Sequence, residues 1–233
     1  METPYYQRIA ESQYNKAYAA GKEVLRFSKE PVPWLKEFCQ SPYFPRQARV
    51  IDFACGEGIN SIYLASLGGT VTGIDIAEQA IDKARQLTLK AGLAAQYMVG
   101  DVTNCPQIPS GTFDLAVACA CLGWLIEDSL RVAFLKETAR TLKRGGWLFF
   151  NNGISLLEIK RSFPEVYAAL QIRPGFDDWV REEQTGVFVP PSQRYETRAA
   201  YESLLEGVGY RVVHSHLDVS ENAWGVVIWA RKE

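Results

Sequence analysis

The feature that most constrains the fold is a regular alternation of short apolar runs with segments of helical periodicity. None of the apolar runs shows sustained polar alternation, which is typical of parallel strands covered on both faces. The apolar runs lie at residues 50–54, 71–74, 95–99, 115–121 and 147–151, and the helical segments lie at 59–67, 77–91 and 129–142. This alternation predicts a doubly wound α/β sheet with right-handed crossovers, in which ligands bind outside the carboxyl ends of the strands.

A glycine follows each of the three helical segments, at Gly68, Gly92 and Gly145. Helices commonly end in a left-handed residue, and glycine adopts that conformation without a steric penalty. The glycines therefore predict where the three helices end.

Length and charge limit the kinds of partner. The chain has 233 residues and an apolar share of 47%, which fits one domain with a core closed to water. Its formal net charge is −2 and it has no stripe of Lys and Arg, so no nucleic acid or anionic membrane is expected as a partner. The longest apolar run, residues 115–126, is shorter than the ~20 residues that span a bilayer. With no leader pattern at the amino end, we expect a soluble cytoplasmic protein with a small ligand.

The cysteines favour reduced thiols over a structural framework. Their number is odd and none of them forms a CxxC pair, which argues against disulfides and against a zinc knuckle. They are Cys39, Cys55, Cys105, Cys119 and Cys121. We therefore expect no metal site, and thiols of this kind fit a reducing cytoplasm.

The stretch "FACGEGIN" follows the first predicted strand and leads into a helix that begins near Ile59. Gly56 and Gly58 allow a tight turn and a close approach of the backbone to a ligand. Asp75 and Asp101 follow the second and third strands, where a carboxylate can bind ribose hydroxyls or an adenine amino group. Three neighbouring strand ends thus predict a site for a nucleotide-like molecule.

A dinucleotide site would use similar parts, so a nicotinamide-dependent oxidoreductase is one alternative. Its GxGxxG pattern requires a third glycine, and this chain has Ser61 at that position. The difference disfavours a dinucleotide.

Asp52 followed by "FACGEG" resembles motif I of the class I S-adenosylmethionine-dependent methyltransferases. The resemblance continues through "VTGIDIAEQAIDKAR", "YMVGDVTN", "GTFDLAVACACLGWL" and "LKRGGWLFF", and through "YESLLEGVGYRVV" and "WGVVIWARK" near the carboxyl end. It implies a Rossmann-like methyltransferase fold, with a mostly parallel seven-stranded sheet whose last strand is antiparallel.

The resemblance also implies that nine residues at the ends of the first three strands shape the site of S-adenosylmethionine. The turn residues would hold the methionine end, the end of the second strand would hold the ribose, and the end of the third strand would frame the adenine. These residues are Asp52, Ala54, Cys55, Gly56 and Gly58 in the turn, Asp75 and Ile76 at the ribose, and Asp101 and Val102 at the adenine. Ala54 departs from the pattern, since many family members have glycine there.

Acceptor-binding residues are expected where the fourth and fifth strands end, beside the transferable methyl group. The candidates are Trp124, Asn151 and Asn152, together with Arg194 and Tyr195 on a later segment. Trp124 could equally pack in the core, and the alternative for Arg194 is an ordinary surface residue. The sequence identifies no general base. The two histidines, His214 and His216, share one face of the sixth strand, and His216 is a weak candidate for catalysis.

Two segments are predicted to cover the site. Residues 1–47 form a helical lid on the 48–233 core, with Tyr14 as the residue that closes over the cofactor and a weak catalytic candidate. Residues 153–192 are longer than an ordinary connection and rich in aromatic side chains, which predicts a substrate cap within the same domain.

These observations predict methyl transfer to a small organic acceptor by in-line attack on the sulfonium methyl group, with orientation and exclusion of water as the main contributions of the protein. Two alternatives are methylation of a peptide or protein group, and a non-catalytic partner subunit that only binds the cofactor. The identity of the acceptor and the oligomeric state cannot be read from the sequence.

Overall fold

A computed structural model describes residues 30–171, 194–219 and 224–233. Its strands are β1 (Arg49–Phe53), β2 (Thr70–Asp75), β3 (Gln96–Val99), β4 (Phe113–Cys119), β5 (Leu142–Gly153), β6 (Tyr210–Val219) and β7 (Trp224–Lys232). They form one seven-stranded sheet in the order β3-β2-β1-β4-β5-β7-β6. Strand β7 is antiparallel to β5 and β6, and the other neighbouring pairs are parallel. The predicted fold class is confirmed.

The described helices connect these strands. They are α1 (Pro33–Gln40), α2 (Ile59–Ser66), α3 (Glu78–Lys90), α4 (Asp128–Thr141), α5 (Leu156–Ser162), α6 (Pro164–Gln171) and α7 (Arg198–Glu206). Glycines with positive φ follow α2 and α3, at Gly68 (+85°) and Gly92 (+68°), as predicted. The third prediction is wrong, because α4 ends at Thr141 and Gly145 lies within β5. Among the described residues, no helix is long and apolar enough to cross a membrane.

The central strands are buried on both faces because helices cover both sides of the sheet. On one face, Phe53 and Phe150 belong to a cluster that includes Phe134 of α4. On the other face, Phe149 packs in a cluster with Phe38 of α1 and Leu64 of α2. Each fully buried side chain of this size contributes about 1.5–3 kcal/mol to folding. Burial on both faces explains the lack of polar alternation in the sequence.

Strands β4 and β5 differ most from their predicted boundaries. Strand β4 ends at Cys119, since the chain turns into a 3₁₀ helix at Leu122–Trp124. Strand β5 begins at Leu142, because this residue pairs with Phe113 before the register shifts.

The proposed lid and cap fall only partly within the described residues. Of the lid, the structure describes residues 30–47, and Tyr14 lies outside the described residues. Of the cap, it describes α5 and α6, where Phe163 and Tyr167 pack against the core cluster of the α4 face. Phe176, Trp179 and Phe188 of the predicted cap also lie outside the described residues.

Candidate functional site

The turn between β1 and α2 contains three residues with left-handed backbone conformation. Ala54 and Gly56 have φ +53° and Gly58 has φ +79°. Glycine adopts such angles freely, whereas alanine pays a steric cost of about 1–2 kcal/mol. Ala54 therefore takes the conformation that a glycine at this position would adopt without strain. The turn is tied to the sheet by a hydrogen bond from the Cys55 backbone N–H to the Ile74 carbonyl, over 3.1 Å.

Two glycines make room for aromatic packing behind this turn. A Cβ on Gly58 would lie 2.7 Å from Tyr97 Oη, and a Cβ on Gly73 would lie 2.7 Å from Tyr97 Cδ1. The Cys55 side chain packs into the same small cluster, with Sγ 2.8 Å from the Cβ position of Gly73. A contact between Cys55 and the methionine end of a cofactor would therefore be made by its backbone.

Asp52 is a buried carboxylate beneath the turn, with 2% of its surface exposed. Ser61 Oγ donates a hydrogen bond to Asp52 Oδ2 over 2.6 Å. Burial raises the pKa of Asp52 to about 7, although hydrogen bonds from Ser61 oppose the rise. The sequence marked Ser61 only as a missing glycine. Its role as the partner of Asp52 could have been suspected from its place at the start of the helix that follows the acid.

Asp75 joins the end of β2 to the glycine turn. Its Oδ2 accepts the Gly56 backbone N–H over 2.8 Å, and its Oδ1 accepts the Ala77 N–H over 2.9 Å. Burial raises its pKa, and these two hydrogen bonds act in the opposite direction. Each carboxylate oxygen has further acceptor capacity, which a pair of hydroxyl groups can use.

The end of β3 completes this edge. Gly100 donates its N–H to the Asp75 carbonyl over 2.9 Å, which places the next loop beside β2. In that loop, Asp101 Oδ1 accepts hydrogen bonds from the backbone and the hydroxyl of Thr103, both over 2.8 Å. Val102 is buried in the core cluster. Ile76, which follows β2, is half-buried. The structure thus brings the predicted cofactor residues together at three adjacent strand ends.

Tyr195 lies across the ends of β4 and β5. A Cβ on Gly123 would come within 2.8 Å of its ring, and a Cβ on Gly153 within 2.5 Å. The Arg194 backbone N–H also donates to the Gly123 carbonyl over 2.7 Å. Trp124 is the next residue after Gly123 in the 3₁₀ helix. The predicted acceptor residues Tyr195 and Trp124 therefore lie close together.

Asn151 and Asn152 lie within the last residues of β5 rather than after it, and they face opposite sides of the sheet. Asn151 donates from Nδ2 to the Val226 carbonyl over 3.1 Å. Asn152 is buried and donates from Nδ2 to Tyr201 Oη over 3.2 Å. Its Oδ1 is buried and has no hydrogen-bond partner among the described residues. Asn152 therefore holds the end of β5 against α7 and keeps one free acceptor.

The Arg194 guanidinium already has partners within the chain. It donates to Glu196 Oε1 over 2.9 Å, to Asp128 Oδ1 over 2.6 Å and to the Ile126 carbonyl over 2.9 Å. These carboxylates raise its pKa. Because two carboxylates already balance this cation, the contacts favour a structural role for Arg194 over binding of an anionic acceptor.

Arg131 of α4 is a buried residue that the sequence did not reveal. It is 1% exposed and donates from Nη1 to the carbonyls of Leu122, Leu125 and Arg194, over 3.0, 3.2 and 3.4 Å. Its Nη2 lies 3.6 Å from Glu196 Oε1. Burial lowers its pKa. One side chain thus ties the turn after β4 to the segment that carries Tyr195.

The histidine pair lies far from the predicted cofactor residues. His214 Nε2 and His216 Nδ1 are 2.9 Å apart on β6, and the His216 ring packs edge-on against Trp34 of α1 with the centroids 4.7 Å apart. Strand β6 lies four positions from β1 in the sheet, which corresponds to ~19 Å at ~4.8 Å per strand. Burial and the neighbouring His214 lower the pKa of His216. Packing against α1 is the role that these contacts support.

Within residues 30–171, 194–219 and 224–233, no group of three or more His, Cys, Asp or Glu side chains could hold a metal ion.

Residues 50–146 match the family model of a methyltransferase domain. The ubiquinone biosynthesis O-methyltransferase of Xanthomonas axonopodis pv. citri (strain 306) is 34% identical over 115 residues, which are 49% of this chain and 47% of that protein. The S-adenosyl-L-methionine-dependent Diels-Alderase iccD of Talaromyces variabilis is 28% identical over 211 residues, which are 88% of this chain and 65% of that protein. The chain therefore spans about half the length of several curated relatives that it matches.

The fold is also similar to a solved structure with its ligands. The 1,6-didemethyltoxoflavin-N1-methyltransferase of Burkholderia thailandensis, with bound 1,6-didemethyltoxoflavin and S-adenosylhomocysteine, superposes with a TM-score of 0.70 at 17% identity. The match covers 100% of this chain and 93% of that one. At this identity the likeness shows a common fold.

Proposed function

We propose that this chain, whose residues 50–146 match the family model of a methyltransferase domain, transfers the methyl group of S-adenosylmethionine to a small organic acceptor. The observation that carries the proposal is the hydrogen bond that joins two predicted cofactor residues, from the Gly56 N–H to Asp75 Oδ2. Because of this bond, the glycine turn and the acid after β2 form a single site.

The described residues fit this cofactor. Asp75 would accept hydrogen bonds from the ribose hydroxyls, since each of its oxygens holds one backbone N–H and has lone pairs left. The turn at Gly56 would meet the methionine end, and Asp101 would lie at the adenine. When bound, the cofactor supplies a methyl carbon that the sulfonium already activates, and the electron pair of the breaking C–S bond returns to sulfur.

The contribution of the chain is to hold the acceptor in line and to exclude water, which accounts for a large part of the rate of such transfers. Tyr195 and Trp124 would form the acceptor wall, at the ends of β4 and β5. The free Oδ1 of Asn152 is an acceptor for a hydrogen-bond donor on the acceptor molecule. We further propose residues 1–47 as the lid, with Tyr14 as its closing residue, and residues 153–192 as the cap.

A small organic acceptor fits the pattern of relatives and the charge of the chain. The relatives named above include a ubiquinone biosynthesis O-methyltransferase and a toxoflavin-type N-methyltransferase, both of which act on small molecules by name. The net charge of −2 gives no electrostatic attraction for nucleic acid. The five free cysteines fit a reducing compartment, so we propose the cytoplasm as its location.

A second candidate is a cyclisation that needs the bound cofactor but does not consume it. It is favoured by one observation, that the relative aligned over 88% of this chain is named an S-adenosyl-L-methionine-dependent Diels-Alderase. The two candidates differ in one product. Methyl transfer releases one S-adenosylhomocysteine for each turnover, and the cyclisation releases none.

The first test is calorimetric titration of the protein with S-adenosylmethionine, S-adenosylhomocysteine and NAD. We expect both sulfur nucleosides to bind, with affinity reduced at least about 30-fold in Asp75→Ala because two charge-assisted hydrogen bonds to hydroxyls are lost. Asp82→Ala is the control, since Asp82 is an exposed carboxylate on α3 that pairs with Arg85 over 2.9 Å. Binding of NAD alone would overturn the proposal. Release of S-adenosylhomocysteine in an acceptor screen would then separate transfer from cyclisation.

A further inference from the structure

A cavity of about 410 Å³ opens at the end of the sheet opposite to the proposed cofactor site. It is lined by Arg144, Gly145, Arg211, Arg231, Lys232 and Glu233. Arg231 pairs with Trp147 on β5, whereas the carboxyl edge begins at Asn151, four residues further along the strand. This separation corresponds to ~13 Å of strand, so the cavity is distinct from the site described above.

The lining of this cavity is strongly cationic. Four of its residues carry positive side chains and one carries a carboxylate, in a chain whose formal net charge is −2. Glu233 lies 3.9 Å from the Arg211 Nε and balances one cation. Arg144, Arg231 and Lys232 form no ion pair with a side-chain carboxylate among the described residues. Such a concentration of charge in a concave site attracts anions.

One arginine is held in place before any ligand arrives. Arg231 Nε donates to the Gly145 carbonyl over 3.1 Å, and its guanidinium carbon lies 5.7 Å from the centroid of the Trp147 ring. Gly145 has φ +74° and no side chain, and a Cβ there would lie 3.4 Å from Arg231 Nη2. Because the turn and the ring fix the guanidinium, it loses little further freedom when it binds a ligand. Its two Nη groups have no hydrogen-bond partner among the described residues.

Lys232 contributes a second fixed cation. Its Nζ donates to the Leu142 carbonyl over 2.7 Å and retains further N–H groups. Burial lowers the pKa of Lys232, because it disfavours the charged ammonium. A bound anion would offset this cost by stabilising the charged form.

We propose that this cavity binds a multivalent phosphate anion, either free pyrophosphate or the phosphate chain of a nucleotide. The planar guanidinium of arginine matches the oxygens of a phosphate with two parallel hydrogen bonds, which a point charge does not. The volume lies within the range of about 300–1,000 Å³ for small-molecule sites and exceeds what one small ion needs. The proposal does not depend on the methyl transfer described above.

The test is calorimetric titration of the protein with sodium pyrophosphate and with ADP at constant ionic strength. We expect saturable binding of pyrophosphate, weakened at least about tenfold in Arg144→Ala and in Arg231→Ala through the loss of charge-assisted hydrogen bonds. Arg161→Ala removes the same charge from the exposed face of α5 and should bind as the unchanged protein does. Thermal unfolding of each variant shows that it is folded.

The two sources of phosphate are separated by their affinities. Equal affinity for pyrophosphate and ADP means that the site holds the phosphates alone, and tighter binding of ADP means that the nucleoside adds contacts. Asp75→Ala must leave pyrophosphate binding unchanged, because Asp75 lies at the other edge of the sheet. The proposal is overturned if pyrophosphate binding does not saturate, or if Arg161→Ala weakens it as much as Arg144→Ala does.

Discussion

Two halves of the carboxyl edge of the sheet are held together in different ways. The cofactor half consists of residues 52–61, 73–77 and 99–103, and the acceptor half consists of residues 119–131, 151–153 and 194–196. In the cofactor half, backbone N–H groups of Gly56 and Ala77 bind the Asp75 carboxylate. In the acceptor half, the long side chain of Arg131 reaches three carbonyls from two separate segments. Backbone contacts need only a suitable turn, whereas side-chain contacts need one particular residue.

The halves also differ in how fully their buried polar atoms are satisfied. In the cofactor half, the carboxylates of Asp52 and Asp75 accept hydrogen bonds. In the acceptor half, Arg131 Nε and Nη2 and Asn152 Oδ1 are buried without a hydrogen-bond partner among the described residues. Each such atom costs about 1–3 kcal/mol. The acceptor half therefore has buried hydrogen-bonding capacity that no described residue uses.

The largest expected effect is on the acceptor half, from Arg131→Met. The variant removes three hydrogen bonds from a cation and leaves Glu196 without its buried partner. We expect the free energy of unfolding to fall by about 3–4 kcal/mol. If the variant still folds, its affinity for S-adenosylhomocysteine should stay within about twofold, since the cofactor half does not depend on Arg131. Urea denaturation and calorimetry measure the two quantities.

The matched control for this variant is Arg161→Met, at an exposed position of α5. It should unfold within about 0.5 kcal/mol of the unchanged protein. Arg131→Lys keeps the charge and the length but loses the guanidinium fork, so its stability should lie between the two. If Arg131→Met lowered cofactor affinity as strongly as stability, the two halves would not be independent and the comparison would fail.

The second prediction concerns the charge that the cofactor half buries at Asp52. Its folded-state pKa of about 7 lies above the ordinary value of 3.8. The unfolded chain therefore ionises first, and the contribution of Asp52 to stability is full below about pH 4 and is lost as the pH rises through about 7. In Asp52→Asn this loss is absent. Between pH 5 and pH 8, we expect the unchanged protein to lose about 2–3 kcal/mol more stability than the variant.

The measurement is urea denaturation of both proteins without ligand across this pH range. Asp82→Asn should follow the unchanged protein, because Asp82 is an exposed carboxylate on α3. Parallel curves for Asp52→Asn and the unchanged protein would mean that Asp52 stays ionised throughout. In that case the cofactor half, like the acceptor half with Arg131, would bury a group that stays charged.

The same contrast explains what the sequence could predict. Apolar runs and glycines identified the five parallel strands, their helices and the turn of the cofactor half, because these features depend on local backbone geometry. Nothing in the sequence distinguishes Arg131 from an exposed arginine of a helix. Its burial depends on where residues 122–125 and 194–196 lie, and no spacing in the sequence encodes that. Ser61 and Tyr97 were missed for the same reason, since each acts through a partner on another element.

Gly58 shows a second limit of the sequence pattern, which predicted the tight turn but not the aromatic side chain behind it. The positive φ of Gly58 is a local property, and Gly68 shares it at +85°. The close approach of Tyr97 Oη to Gly58 is a tertiary contact. Gly68 has no such contact, since nothing lies within 4 Å of its Cβ position. An alanine at each position separates the two causes.

The smallest expected effect is therefore the difference between Gly58→Ala and Gly68→Ala. Both should lose about 1 kcal/mol of stability through backbone strain, and Gly58→Ala should lose about 1–2 kcal/mol more because its Cβ overlaps Tyr97 and Ala84. Tyr97→Phe in the Gly58→Ala background removes the nearest atom and should recover part of this difference in urea denaturation. Equal losses at the two glycines would mean that the turn yields to the added methyl group, and the cofactor half would then be less rigid than its backbone hydrogen bonds imply.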